Sequence, residues 1–194
     1  MSELQPVSAL DGASAASGLA VRVEEAGLQG MILMRGDFAS DAFRSAASGI
    51  AGAEFPAQRR ASLIGARRLL WMAPDEALIV LPYPDVAEAQ TTLADALGGT
   101  HHLIINVSDA RALFRLTGDG AREVLAKGAP VDLARGVFGV GDLRRTHLGQ
   151  VAAAFWQAAE DSDVFELVCF RSVAGYVFDW LVASAARGSL PGHL

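Results

Sequence analysis

The chain has 194 residues, room for one compact unit or two small packed ones, and its 52% hydrophobic and 20% charged composition excludes a disordered chain. Sixteen Lys and Arg against 22 Asp and Glu leave a formal net charge of −6, which argues against a general nucleic-acid surface. The single cysteine, Cys169, excludes an internal disulfide and a Cys-rich zinc site.

Residues 1–18 are rich in Ser, Ala and Gly with few apolar anchors, so a flexible N-terminus is expected there. No basic stretch is followed by an apolar one, so no secretory leader is read and a cytoplasmic location is expected. Leu19–Glu25 alternates apolar and polar residues, and Met31–Met34 reads as a strand. A helix follows, with Asp37 or Ser40 able to cap its free N–H groups, Phe43, Ala46, Ala47 and Ile50 on one face, and Gly49 and Gly52 to end it. Leu69–Trp71 and Leu78–Leu81 form a hairpin across Ala73-Pro74-Asp75-Glu76. Pro84-Asp85 opens a second helix, in which Asp85 and Glu88 resemble a capping box and Val86, Ala89, Leu93 and Leu97 make the buried stripe. Leu103–Ile105 closes the half as a strand.

The second half repeats this order. A strand over Ala112–Leu116 leads to a helix opened by Asp119, then to a longer connection, Lys127–Leu143, that is an insertion in the repeat. Strands follow near Val151–Trp156 and Val164–Phe170, and the last helix has a predicted buried face of Val173, Tyr176, Val177, Trp180, Leu181 and Ser184. Met34-Arg35-Gly36-Asp37 is echoed by Leu116-Thr117-Gly118-Asp119. Trp71 and its Pro74-Asp75 turn are echoed by Trp156 and a turn within Asp161–Asp163. The expected fold is therefore α+β, a duplicated β-α-β-β-α-β-like unit with antiparallel sheets and helices packed on one face, its halves spanning 19–107 and 108–194.

Motifs for chemistry are sparse. Gly118-Asp119-Gly120 precedes a helix, but Glu123 stands where a dinucleotide fingerprint needs its third glycine, and Asp119 would repel a phosphate; capping suits it better. Cys169 sits in an apolar strand, where a thiol is ordinary packing. Ser108-Asp109 reads as a turn, and His101 and His102 point to opposite faces of a strand, unable to chelate one ion. Arg59-Arg60, Arg67-Arg68 and Arg144-Arg145 are either solvated or available for anion or partner contacts. Arg111, Leu113 and Arg115 share a strand face that suits plain surface, a protein interface or a second sheet. Glu166, flanked by Phe165, Leu167 and Val168, lies either on a solvated face or in a pocket where its carboxylate could bind a ligand amide.

The stretches Ser108–Ala121, Arg145-Thr146-x-Leu148-Gly149-Gln150-Val151, Phe165-Glu166-Leu167-Val168 and Tyr176-x-x-Asp179-Trp180-Leu181, with Trp71-x-x-Pro74-Asp75-Glu76 earlier, resemble the gamma-subunit family of heterotetrameric sarcosine oxidases from about Leu19 to Ala186. The resemblance implies a structural subunit of a flavoenzyme complex that oxidatively demethylates sarcosine to glycine, passing the one-carbon unit to tetrahydrofolate and electrons to oxygen with hydrogen peroxide formed. It implies larger alpha and beta subunits and a small delta subunit as partners, which carry FAD, FMN, NAD and tetrahydrofolate. This chain is expected to hold no cofactor and no catalytic residue. The resemblance also implies a fold similar to folate-binding aminomethyltransferase domains, whose pterin-recognising strand glutamate resembles Glu166. Glu166, with Arg171 as an anion partner, is thus a candidate vestigial folate-like site, although the glycine-rich motif of those enzymes is not matched by Gln157–Asp163. A free-standing folate or one-carbon binding protein, with its pocket between the halves near Glu166, and a small-molecule regulatory domain are the alternatives.

Overall fold

The computed structural model describes residues 5–159 and 163–193. In chain order the elements are β1 (Ser14–Ala15), β2 (Arg22–Glu25), β3 (Gln29–Gly36), α1 (Asp41–Ala51), β4 (Ala61–Ile64), β5 (Arg67–Ala73), β6 (Glu76–Pro82), α2 (Val86–Leu97), β7 (His102–Asn106), β8 (Arg111–Thr117), α3 (Ala121–Ala126), β9 (Leu143–Leu148), β10 (Val151–Ala159), β11 (Val164–Phe170) and α4 (Ala174–Ser184). Two antiparallel sheets form, ordered β4-β5-β6-β3-β7 and β1-β2-β8-β11-β10-β9.

Side-chain alternation along the strands decides how the sheets stack. Ile32, Met34, Leu69, Ile79 and Leu81 of the first sheet pack under α1 and α2 through Phe43, Ala47, Ala89 and Leu93. Phe114, Leu116, Phe155, Phe165 and Leu167 of the second pack under α3 and α4 through Val124, Leu125, Val177 and Leu181. The opposite faces meet each other, with Met31, Leu70, Leu78 and Val80 against Leu113, Ala154, Trp156 and Val168. The molecule is a four-layer α/β/β/α sandwich, the expected α+β class with antiparallel sheets and helices on one face of each.

The duplication is visible in the strand order, since β7-β3-β6-β5-β4 superimposes in topology on β2-β8-β11-β10-β9. The strand that should follow α4 is supplied by β2 from the start of the chain, paired with β8 as Val23↔Leu116. Residues 22–25, which the sequence places in the first half, therefore belong to the second sheet. Position for position, Trp156 corresponds to Leu70 and not to Trp71, because Leu70 and Trp156 both face the other sheet and each hairpin has its bulge at the equivalent place, Trp71/Ala73 in one and Gln157/Ala159 in the other. Part of the turn expected at Asp161–Asp163 lies outside the described residues.

Several local expectations are corrected by the geometry. Within the segment expected to be flexible, contacts with the rest of the fold begin at Val7 and Ser8: Arg171 donates to their carbonyls, the buried Glu25 carboxylate accepts from Ser8 Oγ at 2.8 Å, Leu10 N at 3.1 Å and Gly12 N at 2.7 Å, and β1 pairs with β2. Ser40, rather than Asp37, caps α1 by accepting from Phe43 N at 3.4 Å. Asp85 makes no capping bond, because it already has helical dihedrals at the end of a 3-10 turn, and its carboxylate pairs with Arg67 at 2.8 Å. Asp119 caps nothing either: α3 starts two residues later, with Gly120 in the cap position. The α4 face is rotated relative to expectation, burying Ala174, Val177 and Leu181 and leaving Tyr176 exposed. The Lys127–Leu143 connection is pinned by buried Arg122, which donates to the carbonyls of Leu133 (2.8 Å) and Phe138 (2.7 Å) and pairs with Asp163 at 3.0 Å.

Candidate functional site

Glu166 is the unusual residue of the inner layer, a carboxylate only 1% exposed among Leu113, Val168 and Val80. Its surroundings follow from register. In the second sheet β11 lies between β8 and β10, so Glu166 has Arg115 beside it on one flank and Trp156 on the other, all three facing the first sheet. From that first sheet, 98 residues away in sequence, Arg68 of β5 reaches across the layer.

The four donors fill the carboxylate. Glu166 Oε2 accepts from Arg68 Nε at 2.8 Å and from Trp156 Nε1 at 3.0 Å, while Oε1 accepts from Arg68 Nη2 at 3.0 Å and from Arg115 Nη2 at 2.9 Å. The Arg68 contact is a bidentate fork, the strongest geometry available to a guanidinium and a carboxylate. Arg68 Nη1 bonds the carbonyls of Gly65 and Arg67, so four of the five N–H donors of this side chain are used within the protein. Burial alone would raise the Glu166 pKa, but the bonds and charges of Arg68 and then Arg115 outweigh it and hold the carboxyl below its ordinary range. A cavity of about 390 Å³ borders the group, walled by Gln29, Gly65, Arg68, Leu113, Arg115 and Glu166.

Of the sequence-derived candidates, Glu166 takes the pocket alternative and not the solvated one. Arg171 is not brought to it: its guanidinium donates to the carbonyls of Val7 and Ser8, both at 2.9 Å, and so anchors the N-terminal arm. The Arg111-Leu113-Arg115 face of β8 is the one that meets the first sheet. Leu113 is buried there, Arg115 bonds Glu166, and Arg111 lies 4.2 Å from the Phe170 ring centre. The arginine doublets at 67–68 and 144–145 are strand residues with internal partners, Arg145 bonding Glu76 at 3.1 Å across the sheets. Ser108 is a buried turn residue that accepts from Met31 N at 2.9 Å. Burial pushes the Cys169 thiol up to about 12, which leaves it unreactive near neutral pH.

Sequence reasoning missed Arg68 and Trp156 as partners of Glu166, and the only signal was indirect: a buried carboxylate needs a cation, and an arginine doublet abuts an apolar strand. It also missed a cleft of about 590 Å³ between β5, β9 and the Lys127–Leu143 connection, lined by Arg59, Trp71, Val131, Val137 and Arg145. Among the described residues no group of His, Cys, Asp and Glu is arranged to hold a metal ion, and no helix is long and apolar enough to cross a membrane.

The architecture is that of the aminomethyltransferase-like α+β proteins. The crystal structure of glycine cleavage system aminomethyltransferase T from Bartonella henselae matches it with a TM-score of 0.55 at 18% identity, over 79% of this chain and 43% of that one. A chain of the heterotetrameric sarcosine oxidase from Corynebacterium sp. U-96, in complex with pyrrole 2-carboxylate, matches with a TM-score of 0.79 at 24% identity, over 93% of this chain and 91% of that one.

Residues 35–187 match the sarcosine oxidase, gamma subunit family, and the chain belongs to that family. The sarcosine oxidase subunit gamma of Corynebacterium sp. (strain P-1) is 31% identical over 114 residues, 59% of this chain and 54% of the relative. That of an Arthrobacter species is 34% identical over 94 residues, 48% of this chain and 45% of the relative. The alignments thus span about half the length of these curated relatives.

Proposed function

We propose that this chain is the structural gamma subunit of a heterotetrameric sarcosine oxidase, assembled with alpha, beta and delta subunits in the cytoplasm. The assembly demethylates sarcosine to glycine, with the one-carbon unit passing to tetrahydrofolate and electrons passing to oxygen to give hydrogen peroxide. FAD, FMN, NAD and tetrahydrofolate are assigned to the partner subunits, and no catalytic step is assigned to this chain.

The observation that carries the non-catalytic reading is the saturation of Glu166. A carboxylate that recognises a pterin must keep lone pairs for two ring N–H donors, whereas each oxygen of Glu166 already accepts twice from the protein itself. Its role in this reading is to hold the two sheets together. The test is to purify the assembly with wild-type and Glu166→Gln chains and measure both yield and sarcosine-dependent hydrogen peroxide per flavin. The reading expects lower yield with unchanged turnover per intact complex. Saturable tetrahydrofolate binding by the isolated chain, lost in the variant, would instead establish the cavity beside Glu166 as a folate site.

A further inference from the structure

The internal repeat allows the two sheet edges β2 and β7 to be compared at equivalent positions, because each pairs antiparallel with the first strand of its unit. Val23↔Leu116 in one sheet matches Ile104↔Met34 in the other, which sets Arg22 and Glu24 equivalent to Leu103 and Ile105. At the β2 edge these inner-face positions carry an ion pair, Arg22 to Glu24 at 2.7 Å, and the outer side of the strand is covered by β1, with Ala15 opposite Val23. That edge has both of the usual protections, charge and a covering segment.

The β7 edge has neither. Leu103 and Ile105 are 42% and 43% exposed, and among the described residues no strand pairs with the outer side of β7. Val107 N donates to Met31 O at 2.8 Å, so by ladder alternation Leu103 and Ile105 bond to β3, while the peptide groups of His102, Ile104 and Asn106 point outward. The result is a short row of free donors and acceptors above two exposed aliphatic side chains, at the position where the sister sheet carries an added strand.

We infer that β7 receives an extended, apolar segment of a partner subunit as an antiparallel added strand, occupying on the first sheet the place that β1 occupies on the second. The inference rests on the subunit reading above and adds to it the surface and the mode of contact. Main-chain bonds supply the pairing, and aliphatic side chains on alternate residues of the incoming strand cover Leu103 and Ile105. A second copy of this chain fits the edge less well, since it would join two chains of net charge −6 over a five-residue strand, far short of a stable interface.

The test uses the full chain, alone and co-expressed with the other sarcosine oxidase subunits of the same organism. Hydrogen exchange at the Ile104 and Asn106 amides should slow at least about tenfold in the purified complex relative to the isolated chain. The double substitution Leu103→Lys with Ile105→Lys should leave the thermal melt of the isolated chain unchanged and weaken assembly at least about tenfold. Ile64→Lys, an exposed position on the opposite edge, should assemble normally. If the wild type assembles with these amides still fast, or the double variant assembles as well as wild type, the inference is overturned and the subunit reading stands. If wild type captures no partner subunit, the subunit reading fails and the inference falls with it. Protection that appears in the isolated chain and grows with its concentration would identify a second copy as the occupant and overturn the inference.

Discussion

Glu166 is held by geometry that no local pattern could announce. Its period-2 position shows an acidic residue in an apolar strand, but the fork that neutralises it comes from Arg68 on another sheet. Removing one partner of a buried pair leaves the other charge uncompensated, so Glu166→Ala should cost about 3–5 kcal/mol in a urea unfolding experiment. Arg115, 44% exposed in its side chain, should cost at most about 1 kcal/mol when replaced by Ala, because solvent screens it. The pH dependence has a definite sign. A carboxyl whose folded pKa is lowered contributes stability that is present above its unfolded value near 4.5 and is lost as pH falls through the folded value. The stability gap between wild type and Glu166→Gln should therefore be widest near neutral pH and close progressively below about pH 4.5; a gap independent of pH would show that Glu166 is not held charged.

At the scale of elements, periodicity was a good guide wherever one face alone is buried. Val86, Ala89, Leu93 and Leu97 are the buried residues of α2, as their spacing implies. It failed at ends and at polar strands. β4 has only four residues and β9 is rich in Arg, Thr and His, so their alternation is masked, and they are strands because neighbours offer them ladders. Helix starts were ambiguous where two acceptors competed: Asp37 and Ser40 both precede α1, but Asp37 Oδ1 accepts from Ala39 N, and Ser40, with an extended backbone, is the one that reaches Phe43 N. Ser40→Ala should lower stability by about 1 kcal/mol, read from the denaturation midpoint, whereas Asp85→Ala should not act as the loss of a cap.

For the whole molecule, the duplication was legible but its closure was not. The echo of Met34–Asp37 in Leu116–Asp119 reveals two units, yet nothing in the alternation of Arg22–Glu25 says that this strand completes the second one. The fate of the N-terminal arm was hidden for a related reason. Its anchors are polar: Ser8, Leu10 and Gly12 converge on buried Glu25, and Arg171 holds the carbonyls of Val7 and Ser8. Glu25→Ala should release this arm, giving faster protease cleavage before residue 20 with little change in the rest of the fold; unchanged cleavage would show that β1 pairing suffices alone.

The position of β2 has a consequence for how the protein is made. The first sheet draws only on residues 29–106 and can close as soon as that stretch has left the ribosome. The strand at residues 22–25, synthesised earlier, has no partner beyond the two-residue β1 until β8 emerges about ninety residues later, a wait of about 5–20 s at ordinary rates of translation. Its final seat is sealed later still, when Ala20 N reaches Ala185 O at the end of α4. This early-made strand is therefore among the last to be locked, and during that interval the nascent chain presents the open, β8-facing side of β2, which chaperones, or a partner subunit already present, can reach.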